Sequence, residues 1–116
     1  MSSPPLPERD YHAAADRVLA AIETQADLWL QQGVIDIDTH RSGGLLELAF
    51  PDGSKIVVNK QPPLQELWLA ARQGGFHFRC QADRWLDTRD GAEFFARLSE
   101  QLSAQAGVTL ALAAPT

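Results

Sequence analysis

The stretch from Asn59 to Gly75, "NKQPPLQELWLAARQGG", is fenced by two prolines on one side and two glycines on the other. Leu64, Leu67, Trp68 and Ala71 fall at helical spacing, yet the fences leave roughly seven residues, short for a helix and ample for a strand. The borders therefore predict a strand, in which Glu66, Trp68 and Ala70 share one face and Leu67, Leu69 and Ala71 the other. The same punctuation recurs upstream. "VIDIDTH" (34–40), "GLLELAF" (44–50) and "SKIVVN" (54–59) are short runs of β-branched or alternating apolar residues, parted by the turn signals "RSG" and "PDG". "FHFRC" (76–80) and "RWLDT" (84–88) extend the series, so five or six strands follow one another with connections only long enough for hairpins.

Helical patterns frame this series. From Asp10 to about Gln32 the chain lacks glycine and proline, and Ala15, Val18, Leu19, Ile22, Ala26 and Trp29 recur at helical spacing, with Asp10 as the expected N-cap and Gly33 as the stop. A second helix is predicted from about Asp90 to Gln105, with Phe94, Phe95, Leu98 and Leu102 on one stripe and Gly107 ending it. "VTLAL" then reads as an extended apolar tail. Helix, strands and helix combine most economically as an α+β fold. We expect a two-layer α/β sandwich: an antiparallel sheet of five to six strands with the N- and C-terminal helices packed on one face. The reading gives a flexible tail at 1–9, a single domain over 10–112 and a second tail at 113–116.

With both helices on one side, the opposite sheet face meets water. The aliphatic set Leu67, Leu69 and Ala71 suits the core, which leaves Glu66 and Trp68 facing outward, and an outward tryptophan is an interaction signal. A slip of one residue would instead bury Trp68 and expose the leucines.

Charge is distributed unevenly. Of a formal net charge of −5, all the excess lies in residues 1–40, where seven carboxylates face two arginines, while 41–116 balance eight acids against eight bases. That favours cationic or basic partners near the N-terminus and argues against nucleic acid, which requires a basic footprint. No apolar run approaches the roughly 18 to 20 residues of a membrane span, and the start resembles neither a signal nor a transit peptide, so a cytoplasmic protein without membrane contact is expected. Cys80, the single cysteine, excludes an internal disulfide and reads as a small apolar strand residue.

Asp16, Glu23 and Asp27 stand at i, i+7 and i+11, within about 40° of one another on the first helix. No lysine on that helix relieves them. Asp36 and Asp38 alternate on the expected first strand, close by in sequence. Two readings stand: a solvated acidic face, or a shallow open site for hard cations such as iron or calcium, which prefer oxygen ligands. His12, His40 and His77 belong to no recognised catalytic arrangement, "RSGG" and "RQGG" lack the lysine and helix of a phosphate loop, and no active site is evident.

"GSKIVVNKQPP", "LWLA" and "GGFHF", followed by "RWLDTRDGAEFFARLSEQL", closely resemble the frataxin family, in particular its bacterial CyaY type, over about residues 10–110. The resemblance implies the same two-layer sandwich and a role in iron–sulfur cluster assembly. It implies weak surface binding of ferrous or ferric iron by an acidic ridge, here Glu23, Asp27, Asp36 and Asp38, with Asp16 added from the helical-face argument. It also implies binding to a cysteine desulfurase and an iron–sulfur scaffold protein through an exposed sheet motif, here Asn59, Gln61 and Trp68, with His77 beside it. The expected protein is a monomeric iron-binding regulator or iron donor. Alternatives are a ferroxidase acting on surface carboxylates and an interaction module that uses no metal. The chain departs from the family pattern at the end of the first helix, where "LWLQQGVI" replaces crowded carboxylates.

Overall fold

A computed structural model describes residues 5–115. Helix α1 (Glu8–Gln31) precedes six strands, β1 (Asp38–Ser42), β2 (Leu45–Ala49), β3 (Lys55–Gln61), β4 (Glu66–Ala71), β5 (Gly74–Gln81) and β6 (Arg84–Asp87), and helix α2 (Phe94–Ala106) follows. The strands form one antiparallel sheet in the order β1-β2-β3-β4-β5-β6, a simple meander, as short hairpin connections require. Both helices cover the same face.

The parity expected for β4 holds. Leu67 and Leu69 are buried with Leu46, Leu48, Ile56 and Val58 of the neighbouring strands, under Ala15, Val18, Leu19 and Ile22 of α1 and Phe94, Leu98 and Leu102 of α2. Between β3 and β4 the two prolines form a single 3-10 turn (Pro62–Leu64), and Gln65 takes the left-handed conformation that lets β4 run back along β3. Opposite Leu67 and Leu69, the outward set is Glu66, Trp68 and Ala70.

Several boundaries differ from the sequence reading. α1 begins at Glu8, not Asp10: Pro7 occupies the N-cap and its carbonyl accepts from the amides of Asp10 and Tyr11, while Glu8 and Asp10 sit in the first turn, where the helix dipole favours carboxylates. Part of the expected tail 1–9 is therefore helical, and residues 1–4 lie outside the described residues. Gly33 does stop the helix. At φ +72° it donates to Leu30, and Val34 donates to Trp29, the paired bonds of a Schellman motif.

The first strand is displaced. Val34–Ile37 is not paired, and β1 starts at Asp38, so Asp36 lies outside the sheet. Four residues can reach at most roughly 13 Å, a span suited to carrying the chain from the helix layer to the sheet. The valine and isoleucines that imitate a strand serve that crossing, with Ile37 buried as its plug. Helix α2 likewise starts at Phe94, not near Asp90, because Glu93 is its N-cap and accepts from the amides of Phe95 and Ala96. Asp90 instead accepts from the Ala92 amide and pairs with Arg97.

After Gly107 the expected extended tail docks on α2. Ser103 accepts from the Leu110 amide and Ser99 from the Leu112 amide, both at 2.9 Å, and both leucines are buried.

Candidate partner face and acidic stripe

Strand register assembles the outer face in two rows. Asn59 pairs with Trp68, and Trp68 with His77; next to this row, Gln61 pairs with Glu66, and Glu66 with Arg79. The four residues assigned by resemblance, Asn59, Gln61, Trp68 and His77, are thus brought together on three adjacent strands. Trp68 and His77 stack with ring centroids 4.3 Å apart and planes 5° from parallel. Trp68 is half-buried rather than fully exposed.

Glu66 departs further from expectation. It points outward, as its parity requires, yet is 7% exposed, because Trp68, His77 and Arg79 close around it. Its Oε1 accepts from the indole Nε1–H at 2.8 Å, and its Oε2 lies 3.3 Å from Arg79 Nε. Neither Glu66 nor Arg79 was assigned a role from sequence. Alternation would have placed both, since Glu66 stands two residues before Trp68 and Arg79 two after His77.

The acidic stripe is a looser arrangement. Asp16 and Glu23 are not left to water: Lys60 Nζ donates to Asp16 at 2.8 Å, and Arg41 reaches Glu23 at 2.9 Å and Asp16 at 3.4 Å. Arg41 and Lys60 project from the helix-facing side of β1 and β3, since they occupy the alternation opposite His40 and Asn59. Relief comes from the sheet, not from the helix, and local spacing on α1 could not reveal it. Asp27, Asp36 and Asp38 are exposed and carry no ion pair among the described residues. Also among these, no three side chains of His, Cys, Asp or Glu gather closely enough to hold a metal ion. The five carboxylates form a dispersed field and not a cage.

Cys80 is half-buried beside a groove of about 620 Å³ between α1, β6 and residues 114–115, and burial pushes its thiol pKa up. A thiol held protonated is a poor nucleophile.

The frataxin-like domain model matches residues 4–108. The chain belongs to the frataxin-like family. An iron-sulfur cluster assembly protein CyaY from Cupriavidus metallidurans is 48% identical over 109 residues, covering 94% of this chain and 98% of the relative. Among solved structures, a frataxin from Psychromonas ingrahamii superposes with a TM-score of 0.79 at 29% identity, over 91% of this chain and 97% of that one. A trimeric frataxin from Saccharomyces cerevisiae, determined as a ferrous complex, shares the fold at a TM-score of 0.66 and 24% identity, over 91% of each chain. The six-stranded sheet with two helices on one face is the frataxin fold. No helix among the described residues is long and apolar enough to cross a membrane.

Proposed function

We propose that this chain is a non-catalytic, iron-binding regulator of iron–sulfur cluster assembly in the cytoplasm, acting as a monomer. In this reading the Trp68 face contacts the iron–sulfur scaffold protein and the acidic stripe docks on a basic surface of the cysteine desulfurase. The observation that carries the proposal is the two-row outer face, where Asn59, Trp68 and His77 stand in register on adjacent strands with two aromatic rings stacked toward solvent. Nothing in the packing of the core requires that arrangement. The 48% identity to a CyaY protein supports the same role.

Iron enters as cargo. Carboxylate oxygens suit ferrous and ferric ions, and Asp27, Asp36 and Asp38 are the open donors of the set. Asp16 and Glu23 are already held by Lys60 and Arg41, so a metal ion must compete with those cations. Binding is accordingly weak and largely through water. The ferroxidase reading is disfavoured on the same geometry, because oxidation at a carboxylate-bridged pair of ions needs side chains gathered about them.

NMR shift mapping of the labelled protein with ferrous iron, and separately with the desulfurase–scaffold complex, tests the proposal. Iron should perturb residues 23–38, and the complex should perturb β3, β4 and β5 around Trp68. Perturbation by the complex without any by iron would favour the metal-independent interaction module. An increase in the rate of ferrous oxidation in the presence of the protein would restore the ferroxidase.

A further inference from the structure

The outer face contains a carboxylate that an open sheet surface does not call for. Charged side chains on such a face ordinarily remain in water, yet the Glu66 side chain is 9% exposed, against 49% for Arg79 beside it. Burying a charge is unfavourable unless it is paired and hydrogen-bonded. Here both oxygens are used, Oε1 by the indole of Trp68 and Oε2 by Arg79, and His77 Nδ1 lies 3.8 Å from Oε1. From the other side of the sheet, the Tyr11 hydroxyl of α1 donates to the Glu66 carbonyl oxygen at 2.8 Å. Backbone and side chain are therefore both pinned.

The consequence is a fixed surface. With its N–H satisfied internally and one face on His77, the indole presents only carbon to a partner. Arg79 pairs with Glu66 through its Nε, and its two terminal nitrogens make no hydrogen bond among the described residues. They form a fork beside the rings, suited to a carboxylate.

We propose that Glu66 is the positioning residue of this face, holding Trp68 flat on His77 and aiming the Arg79 fork at a carboxylate of the scaffold protein next to an apolar side chain that covers the indole. The inference rests on the scaffold-binding reading above. Its test follows the Trp68 Nε1–H resonance of the ¹⁵N-labelled full chain, free and titrated with the desulfurase–scaffold complex. Glu66→Gln keeps an oxygen acceptor for the indole and should leave that resonance near its wild-type position, with affinity lowered about threefold. Glu66→Ala removes the acceptor and should shift and broaden the resonance and lower affinity about tenfold or more. Arg79→Gln should leave the resonance in place, lower affinity about fivefold and flatten its salt dependence. Wild-type affinity in Glu66→Ala, together with lost affinity in Trp68→Ala, overturns the proposal. Wild-type affinity in Trp68→Ala removes the scaffold-binding reading itself. Should Glu66→Ala fail to fold, Arg79→Gln decides, and unchanged affinity with unchanged salt dependence then overturns the proposal.

Discussion

The acidic stripe and the Trp68 face are built on opposite principles. The stripe gathers carboxylates by spacing along one helix, one crossing segment and the first residue of β1, and its members share no hydrogen bond with one another. Asp27, Asp36 and Asp38 carry no ion pair among the described residues, and Asp16 and Glu23 are neutralised by Arg41 and Lys60. The Trp68 face is gathered by strand register, so its residues come from β3, β4 and β5 and hold one another through a stack, a hydrogen bond and an ion pair. The first surface suits an exchangeable ion or long-range attraction, and the second suits a partner of fixed shape. The proposed function calls on both.

The sharpest break between the two surfaces is expected from Trp68→Ala. Partner binding should weaken by about 2 kcal/mol or more, as for a hot-spot aromatic, while stability falls by only about 1 kcal/mol through loss of the stack on His77. Calorimetric titration and chemical denaturation separate the two numbers. If the losses prove equal, the face is a structural element and not a docking surface.

Next comes Lys60→Met, which keeps the apolar stem and removes the ammonium. Stability should drop by about 1 kcal/mol, since Asp16 is half exposed and retains Arg41. Ferrous affinity should rise, because Asp16 loses its strongest competitor for the metal. An unchanged iron isotherm would remove Asp16 from the site.

Within the stripe, Glu23→Gln and Asp27→Asn differ by one ion pair. Glu23→Gln gives up the bond to Arg41 and should cost about 0.5 kcal/mol, whereas Asp27→Asn should be neutral or slightly stabilising, because it removes an i, i+4 like-charge neighbour. Both should weaken desulfurase binding most at low salt, where charges are least screened. Affinity independent of salt would argue that the stripe does not dock.

The smallest effect concerns a site remote from both surfaces and serves as their control. In the β2–β3 turn, the Ser54 hydroxyl and amide, and then Arg72, hold the Asp52 pKa down at about 2, below the ordinary carboxylate value of 3.8. A depressed folded pKa gives stability that is complete above the ordinary value and is lost as pH falls through the folded one. Melting temperatures between about pH 5 and about pH 2 should therefore decline less steeply in Asp52→Asn than in the wild type, with partner and iron binding unchanged.

Much of the architecture was legible because it follows local rules. Glycine and proline fence the strands, α1 keeps its apolar stripe, and the aliphatic alternation of β4 fixed which way Trp68 points. The misplacements arose where one local pattern serves another purpose. Val34–Ile37 has strand composition because it crosses between layers, and the helix expected from about Asp90 begins at Phe94 because Glu93 is its cap. Of the sites, the residues carried by resemblance were brought together on the sheet, but what neutralises or positions them was not visible. Arg41 lies 25 residues from Asp16, Lys60 44, and the closure around Glu66 depends on the register of β4 with β5. Periodicity within one element contains no information about such partners.

The serines that seat the C-terminal tail act as a short vernier. One rung on the helix, from Ser99 to Ser103, is four residues or about 6.0 Å, while one rung on the tail, from Leu110 to Leu112, is two extended residues or about 6.7 Å. The scales agree well enough for two rungs and then drift apart. The next helix position in the series is Phe95, without a side-chain hydroxyl, and beyond Leu112 residues 113–115 are exposed. The docked segment thus ends where the helix offers no further hydroxyl, and its amides should exchange hydrogen by local detachment, earlier than those of β3 and β4, whose release requires the whole sheet to open.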